Sequence, residues 1–199
     1  MTAASTHLSN DQRFSLADIE DLATAALELW AVRNSPPQLL KHRENTVYRV
    51  QDPSGNPAVL RVHRPGYHDE AAILSELLWM TQLSSSGMDL PRPVPAADGR
   101  LLVSVGTDRS TDKRYVDMLS WVTGDKMGLT GTPLTLATDQ IGPLFFSLGY
   151  AAAQLHYLSD RWTLPPEFVR HAWDQNGLIG EGTVLGSIVG PAGSAPNRP

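Results

Sequence analysis

Residues 46–83 read TVYRVQDPSGNPAVLRVHRPGYHDEAAILSELLWMTQL, and their pattern decides the fold class. Two β-rich runs, 46–51 and 58–63, flank the segment Asp-Pro-Ser-Gly-Asn, whose composition is typical of a turn. We expect these runs to pair as an antiparallel hairpin. Apolar residues then recur at helical spacing, which predicts a helix that Asp69 caps and that ends near Leu83. A hairpin with a helix packed on it indicates an α+β domain and not a βαβ repeat.

The flanking segments extend this arrangement in both directions. Ser15 is predicted to cap a helix whose apolar face runs from Ile19 to Trp30. Beyond the central stretch, strands are expected over 101–105 and 115–122, each after a loop or turn signal. A helix or helix pair is expected over 134–158, with Pro143 near a helix start. The order of helix, hairpin, helix and two strands predicts a small antiparallel sheet with a helix packed on it.

Composition excludes several classes of function. The net charge of −5 and the sequence pI near 5.6 provide no basic field, so we expect no nucleic-acid partner. The absence of cysteine excludes disulfides and thiolate metal sites and fits a reducing compartment. Without an apolar run of membrane-spanning length or a signal-peptide core, we expect a cytoplasmic protein with no membrane partner. Segments 1–14 and 183–199 are predicted to be disordered.

One charged pair stands out within the predicted core. Arg61 lies in the middle of the second hairpin strand, and Glu76 falls inside the apolar stripe of the following helix. A central cation needs a partner, which suggests an ion pair of the kind by which kinases hold a basic residue against nucleotide phosphates. Two alternatives stay open: Arg61 extends to solvent beside a boundary Glu76, or Glu70 is the partner. The helix dipole already accounts for an acidic residue at position 70.

Several runs resemble one known family when they are taken in order. Segments 44–50, 59–67 and 75–77 resemble the N-lobe of the aminoglycoside phosphotransferase family, close to its homoserine kinase type II-like and stress response kinase-like branch. Segment 119–124 is similar to the hinge of that family, and 148–162 to its first C-lobe helix. The resemblance implies a protein-kinase-like N-lobe over 15–122. A hinge and the beginning of a helical C-lobe would follow over 123–182.

The resemblance also implies ATP and Mg²⁺ as cofactors. The turn at Glu44 and Asn45 would lie over the phosphates, and Arg61 would contact the α- and β-phosphates in place of the usual lysine. Glu76 would orient Arg61. The adenine edge would meet backbone groups of the hinge residues Ser120, Trp121 and Val122.

The same resemblance exposes what the 199 residues do not contain. Family members carry a catalytic loop of the form H-G-D-x-x-x-x-N, with a later metal-binding aspartate. Neither is recognisable here, and the near matches at 156–160 and 171–176 have the wrong spacing. We therefore expect a truncated phosphotransferase that is inactive alone, with no catalytic or metal-binding residue of its own. Full-length relatives would act on the hydroxyl group of a small molecule. The alternative is a non-catalytic nucleotide-binding or regulatory module.

Overall fold

The computed structural model describes residues 15–107, 110–124, 127–128, 131–132 and 136–170. Within these ranges, three helices and five strands follow one another as helix, three strands, helix, two strands and helix. Their bounds, in chain order, are α1 Leu16–Leu29, β1 Gln38–His42, β2 Asn45–Gln51, β3 Pro57–His63, α2 Glu70–Ser85, β4 Leu102–Thr107, β5 Ser110–Ser120 and α3 Thr138–Asp160.

The five strands form one antiparallel sheet in the order β1-β2-β3-β5-β4. Strand β3 lies in the middle, because β2 pairs with it on one side and β5 on the other. In this register Arg61 of β3 lies opposite Val47 of β2 and Asp117 of β5. The centre of the sheet therefore brings together residues that are far apart in sequence.

Helix α1 covers one face of the sheet and creates the larger core. Side chains alternate along β3, so Ala58, Leu60 and Val62 point to this face and are buried. Trp30, which follows α1, is fully buried and donates its Nε1–H to the carbonyl of Val94 at 2.8 Å. The apolar face of α1 thus packs on the sheet as its periodicity predicts.

Helix α2 covers the opposite face near Val59, Arg61 and His63. A smaller apolar cluster forms there from Ile73, Leu77, Leu102 and Leu119. Arg61 therefore projects from the sheet toward α2 at the margin of this cluster, with 15% of its side chain exposed.

The α+β class is confirmed, as are the hairpin and both helix starts. Ser15 caps α1 through a capping box with Asp18, and Asp69 caps α2 by accepting the amide hydrogen of Ala72. The sequence prediction missed one strand, β1, which adds an edge to the antiparallel sheet. The predicted helix or helix pair is one helix, which continues through Pro143. The predicted disorder of 1–14 and 183–199 lies outside the described residues.

Helix α3 differs from the other two helices in its packing. None of its residues is buried, and large apolar side chains lie open on it, including Phe145, Phe146 and Tyr150. Its C-terminal end contacts α2, where the Nε1–H of Trp79 donates to Oγ of Ser159 at 3.0 Å. No helix in the described part of the chain is long and apolar enough to cross a membrane.

Candidate functional site

Arg61 is held by carboxylates from two different elements. Its Nε and Nη2 donate to Oδ1 and Oδ2 of Asp117 at 2.8 and 2.9 Å, which makes a bidentate pair. Its Nη1 donates to Oε1 of Glu76 at 2.8 Å. The predicted ion pair between Arg61 and Glu76 is therefore confirmed, and Asp117 is a second partner that the sequence did not reveal.

The sheet register explains why Arg61 meets Asp117. The two residues lie directly opposite one another on antiparallel neighbours β3 and β5. Opposite side chains on one face of such a pair have their Cβ atoms within about 5.5 Å, close enough for a direct contact between their polar groups. Glu76 reaches the same guanidinium because α2 lies over this face of the sheet.

Asp117 is a fully buried carboxylate, with no exposed surface on its side chain. Besides the two bonds from Arg61, its Oδ2 contacts Nε2 of His63 at 2.5 Å. Burial by itself would raise the pKa of Asp117, but the hydrogen bond from His63 and the charge of Arg61 outweigh burial and lower this pKa. Asp117 is therefore ionised at neutral pH.

The pKa of Arg61 is also set by burial and nearby charges acting in opposite directions. Burial opposes its positive charge, but the nearby carboxylate of Asp117 and then that of Glu76 outweigh burial and raise the pKa of Arg61 above its ordinary value. The guanidinium is thus a permanent cation in a largely enclosed position.

Glu76 is more open than Asp117 and is shared between two cations. Its side chain is 26% exposed, and its Oε2 lies 3.2 Å from Nη1 of Arg170. Glu70, the alternative partner, instead accepts a hydrogen bond from the hydroxyl of Tyr115 at 3.2 Å. The alternative of a Glu70–Arg61 pair is therefore wrong.

The guanidinium of Arg61 retains capacity to bind an anion. Arginine carries five N–H donors, and the bonds to Asp117 and Glu76 use three of them. Among the described residues, no acceptor meets the remaining hydrogen on Nη1 or the one on Nη2. Two N–H groups on a planar, partly exposed cation are suited to phosphate oxygens.

The turn that was predicted to lie over the phosphates is near this cluster. Asn45 begins β2, pairs in register with His63, and accepts the amide hydrogen of Arg64 on its Oδ1 at 3.4 Å. Glu44 lies in the exposed turn before it. No described contact joins Glu44 or Asn45 to Arg61, so their roles toward a nucleotide stay predictions.

The predicted hinge follows β5, and part of its hydrogen-bonding capacity is already used. The amide of Ser120 donates to the carbonyl of Arg92 at 2.8 Å, and that of Trp121 donates to the carbonyl of Pro57 at 3.3 Å. Within the described residues, the amide of Val122 has no such backbone partner. Of the three predicted hinge amides, that of Val122 is therefore the one left for an adenine edge. The role of this segment in binding a nucleotide stays a prediction.

The described residues do not supply an evident metal site. Among them, no group of three or more His, Asp or Glu side chains could hold a metal ion. Asp117 and Glu76, the carboxylates nearest to Arg61, are engaged by arginine. The described residues therefore do not provide the ligands for the Mg²⁺ that the family resemblance implies.

Sequence reasoning missed His63, Asp117 and Arg170 as members of the cluster. The sequence did contain a signal for Asp117. It is a single carboxylate in the otherwise apolar strand segment 115–119, and strand alternation places it on the same face as Tyr115 and Leu119. The sequence around Arg170 contains no such signal, because its contact with Glu76 depends on the path of the chain after α3.

An antiparallel sheet with a helix over one face, and a basic strand residue paired to a glutamate of that helix, is the arrangement of a kinase N-lobe. Comparison with known proteins agrees. A microcompartment-associated aminopropanol kinase superposes with a TM-score of 0.64 at 33% identity, and the match covers 80% of this chain and 46% of the kinase. The amicoumacin kinase hAmiN, in complex with AMP-PNP, Ca²⁺ and Ami, superposes with a TM-score of 0.66 at 22% identity, covering 84% of this chain and 47% of that one.

The chain thus resembles the N-terminal portion of small-molecule kinases of the aminoglycoside phosphotransferase type. An uncharacterised protein of Deinococcus radiodurans is 29% identical over 160 residues, which are 80% of this chain and 42% of that protein. No family model matches the chain. The chain spans less than half the length of each of these three relatives.

Proposed function

We propose that this chain is the nucleotide-binding lobe of an ATP-dependent small-molecule phosphotransferase, and that its 199 residues bind nucleotide without transferring phosphoryl groups. The observation that carries the proposal is the Arg61–Glu76 ion pair at 2.8 Å on a kinase-like N-lobe. A cytoplasmic location, where ATP is supplied, belongs to the same proposal.

The chemistry of the cluster supports a phosphate site. Arg61 is fixed in direction by three hydrogen bonds and offers further N–H groups at a partly exposed position. Two arginines and two carboxylates cancel formally, so the attraction for a polyphosphate comes from aimed donors and not from net charge. ATP, when bound, would supply the phosphoryl group. Arg61 would hold its phosphates, and the hinge residues 120–122 its base.

The second half of the proposal concerns turnover. A kinase of this type needs an aspartate to orient the acceptor hydroxyl and further side chains for magnesium. The sequence shows neither the loop that carries them nor a substitute with the right spacing. Binding of nucleotide without transfer to small-molecule alcohols is the expected behaviour of the purified chain.

The proposal is tested by titrating the purified protein with AMP-PNP and, separately, with adenosine, using isothermal calorimetry. The decisive variant is Arg61→Met/Asp117→Leu, because removing both charges together leaves neither one buried alone. We expect AMP-PNP to bind at least about tenfold more weakly to this variant, the equivalent of about 1.4 kcal/mol, with adenosine little changed. Arg100→Met is the matched control, since Arg100 is an exposed cation whose ion-pair partner among the described residues is Asp98, in the turn before β4. Failure of AMP-PNP to bind wild-type protein at millimolar concentration would exclude the proposed function.

A second candidate is a non-catalytic nucleotide-binding or regulatory module. The apolar surface of α3 favours it, because an exposed patch with Phe146 at 75% and Tyr150 at 66% exposure is typical of a surface that contacts another polypeptide. This candidate would be excluded if a sensitive assay detected ATP-dependent phosphorylation by the purified chain and the Arg61→Met/Asp117→Leu variant lost that activity. Such turnover would also contradict the expectation of inactivity.

A further inference from the structure

We propose that Asp117, and not Glu76, is the principal positioning residue for the Arg61 guanidinium. This inference rests on the proposed function in one respect only, namely that Arg61 contacts nucleotide phosphates. The kinase resemblance gave the orienting role to the helix glutamate, whereas the contacts of this chain give the greater part of it to a strand aspartate.

The hydrogen bonds favour Asp117 in number and geometry. Asp117 receives two bonds from Arg61, one from Nε and one from Nη2, and these fix the plane of the guanidinium. Glu76 receives one bond, from Nη1, and its other oxygen is taken by Arg170. A bidentate pair restrains rotation about the terminal bonds of arginine in a way that a single bond does not.

Burial points in the same direction. The side chain of Asp117 is completely enclosed, whereas that of Glu76 is 26% exposed. Water therefore screens the ion pair of Arg61 with Glu76 and can take the place of its hydrogen bond. Water cannot reach the carboxylate of Asp117. In addition, β3 and β5 are paired over five consecutive positions, which holds the backbones of Arg61 and Asp117 at a set distance.

His63 completes the support of Asp117. It lies two residues after Arg61 on the same face of β3, and its Nε2 contacts the Oδ2 that also receives Nη2 of Arg61. Asp117 is thus held by two side chains of one strand. The cation is anchored to the sheet, so a shift of α2 that carries Glu76 away would leave the direction of Arg61 largely unchanged.

The experiment compares Asp117→Asn with Glu76→Gln, which are matched in charge. Each variant removes one negative charge from the surroundings of Arg61, so electrostatics alone would strengthen phosphate binding in both, and more in Asp117→Asn, whose carboxylate is not screened by water. Weaker binding in Asp117→Asn therefore runs against electrostatics and reports geometry. We expect AMP-PNP to bind Asp117→Asn at least about tenfold more weakly than wild type, while Glu76→Gln changes the affinity by less than about threefold. The reverse order would overturn the inference.

A second measurement does not depend on nucleotide. In ¹⁵N NMR spectra of the ligand-free protein, a guanidinium that cannot rotate shows separate Nη1 and Nη2 signals, and a freely rotating one shows an average. We expect separate signals for Arg61 in wild type and in Glu76→Gln, and an averaged signal in Asp117→Asn. Averaging in the wild type, averaging in Glu76→Gln, or separate signals in Asp117→Asn would each contradict the role of Asp117.

The two measurements separate the possible failures. If AMP-PNP does not bind the wild type, the proposed function is wrong and the NMR comparison still decides which carboxylate positions Arg61. If Asp117→Asn does not fold, the spectra of wild type and Glu76→Gln remain decisive, because loss of restraint in either one overturns the inference.

Discussion

Replacing Arg61 by methionine removes the cation and leaves Asp117 buried with His63 as its one remaining partner in the cluster. Three charge-assisted hydrogen bonds are lost, two to Asp117 and one to the partly exposed Glu76, each with a typical net contribution of about 1.5–3 kcal/mol when buried. Breaking a buried ion pair from one side costs about 3–5 kcal/mol. Because 15% of the Arg61 side chain is exposed, we expect a loss toward the lower end, about 3 kcal/mol of unfolding free energy.

The double variant Arg61→Met/Asp117→Leu provides the comparison. With both charges gone and apolar side chains in their place, the free energy of unfolding should return to within about 1 kcal/mol of wild type. Glu76 keeps Arg170 as a partner and is partly hydrated, so it adds little to the loss. The non-additivity of the two substitutions is then the direct measure of the pair.

Urea unfolding followed by tryptophan fluorescence gives these values, since Trp30 is fully buried in the α1 core. With a slope of about 2 kcal/mol per molar urea, the single variant should shift the midpoint by about 1.5 M. The control Arg100→Met, which breaks an exposed pair, should leave the midpoint almost unchanged. A shift below about 0.3 M for Arg61→Met, or a double variant as unstable as the single one, would show that the cluster is not a buried ion pair in solution.

Three further outcomes follow from the charges and surfaces of the fold. The pKa of Asp117 is lowered in the folded state, so its ionised carboxylate stabilises the fold above the ordinary aspartate pKa near 4, and this stabilisation is lost as the pH falls below that value. In Asp117→Asn, the free energy of unfolding should therefore change less with pH over that range. Burial, with a smaller contribution from Glu20, raises the pKa of Tyr48 to about 12, so alkaline unfolding between about pH 10 and 12 should be reduced in Tyr48→Phe, and an identical alkaline curve would contradict this. Phe146 is 75% exposed on α3, so Phe146→Ser should lower self-association in sedimentation velocity without changing the urea midpoint.

Local sequence signals were sufficient for the elements that depend on local rules. The capping residues Ser15 and Asp69, and the turn after β2, fixed where α1, α2 and the hairpin begin. The edge strand β1 was missed because all of its residues are exposed and it follows two prolines, so neither alternation nor burial marked it. Helix α3 was left undecided between one helix and two because Pro143 removes a backbone donor, yet the helix continues through it.

The candidate site was predicted in part for the same reason. Arg61 and Glu76 are 15 residues apart, and the strand and helix periods place both on one interface. Asp117 lies 56 residues from Arg61, and its contact depends on which strands pair and in what register. Register between distant strands is not a local property, so the aspartate that holds the arginine could not be assigned from residue spacing.

The interpretation of this chain as a nucleotide-binding lobe depends on one contact, between the Arg61 guanidinium and the phosphates of a nucleotide. The most direct measurement is the change in the ¹⁵N signals of Arg61 Nη1 and Nη2 when the wild-type protein is saturated with AMP-PNP and, in a parallel sample, with adenosine. We predict that both signals shift with AMP-PNP and stay in place with adenosine, because the two N–H groups that Asp117 and Glu76 leave without an acceptor would then bind phosphate oxygens. Unmoved Arg61 signals in a sample whose other resonances prove that AMP-PNP is bound would place the nucleotide elsewhere and contradict the proposal.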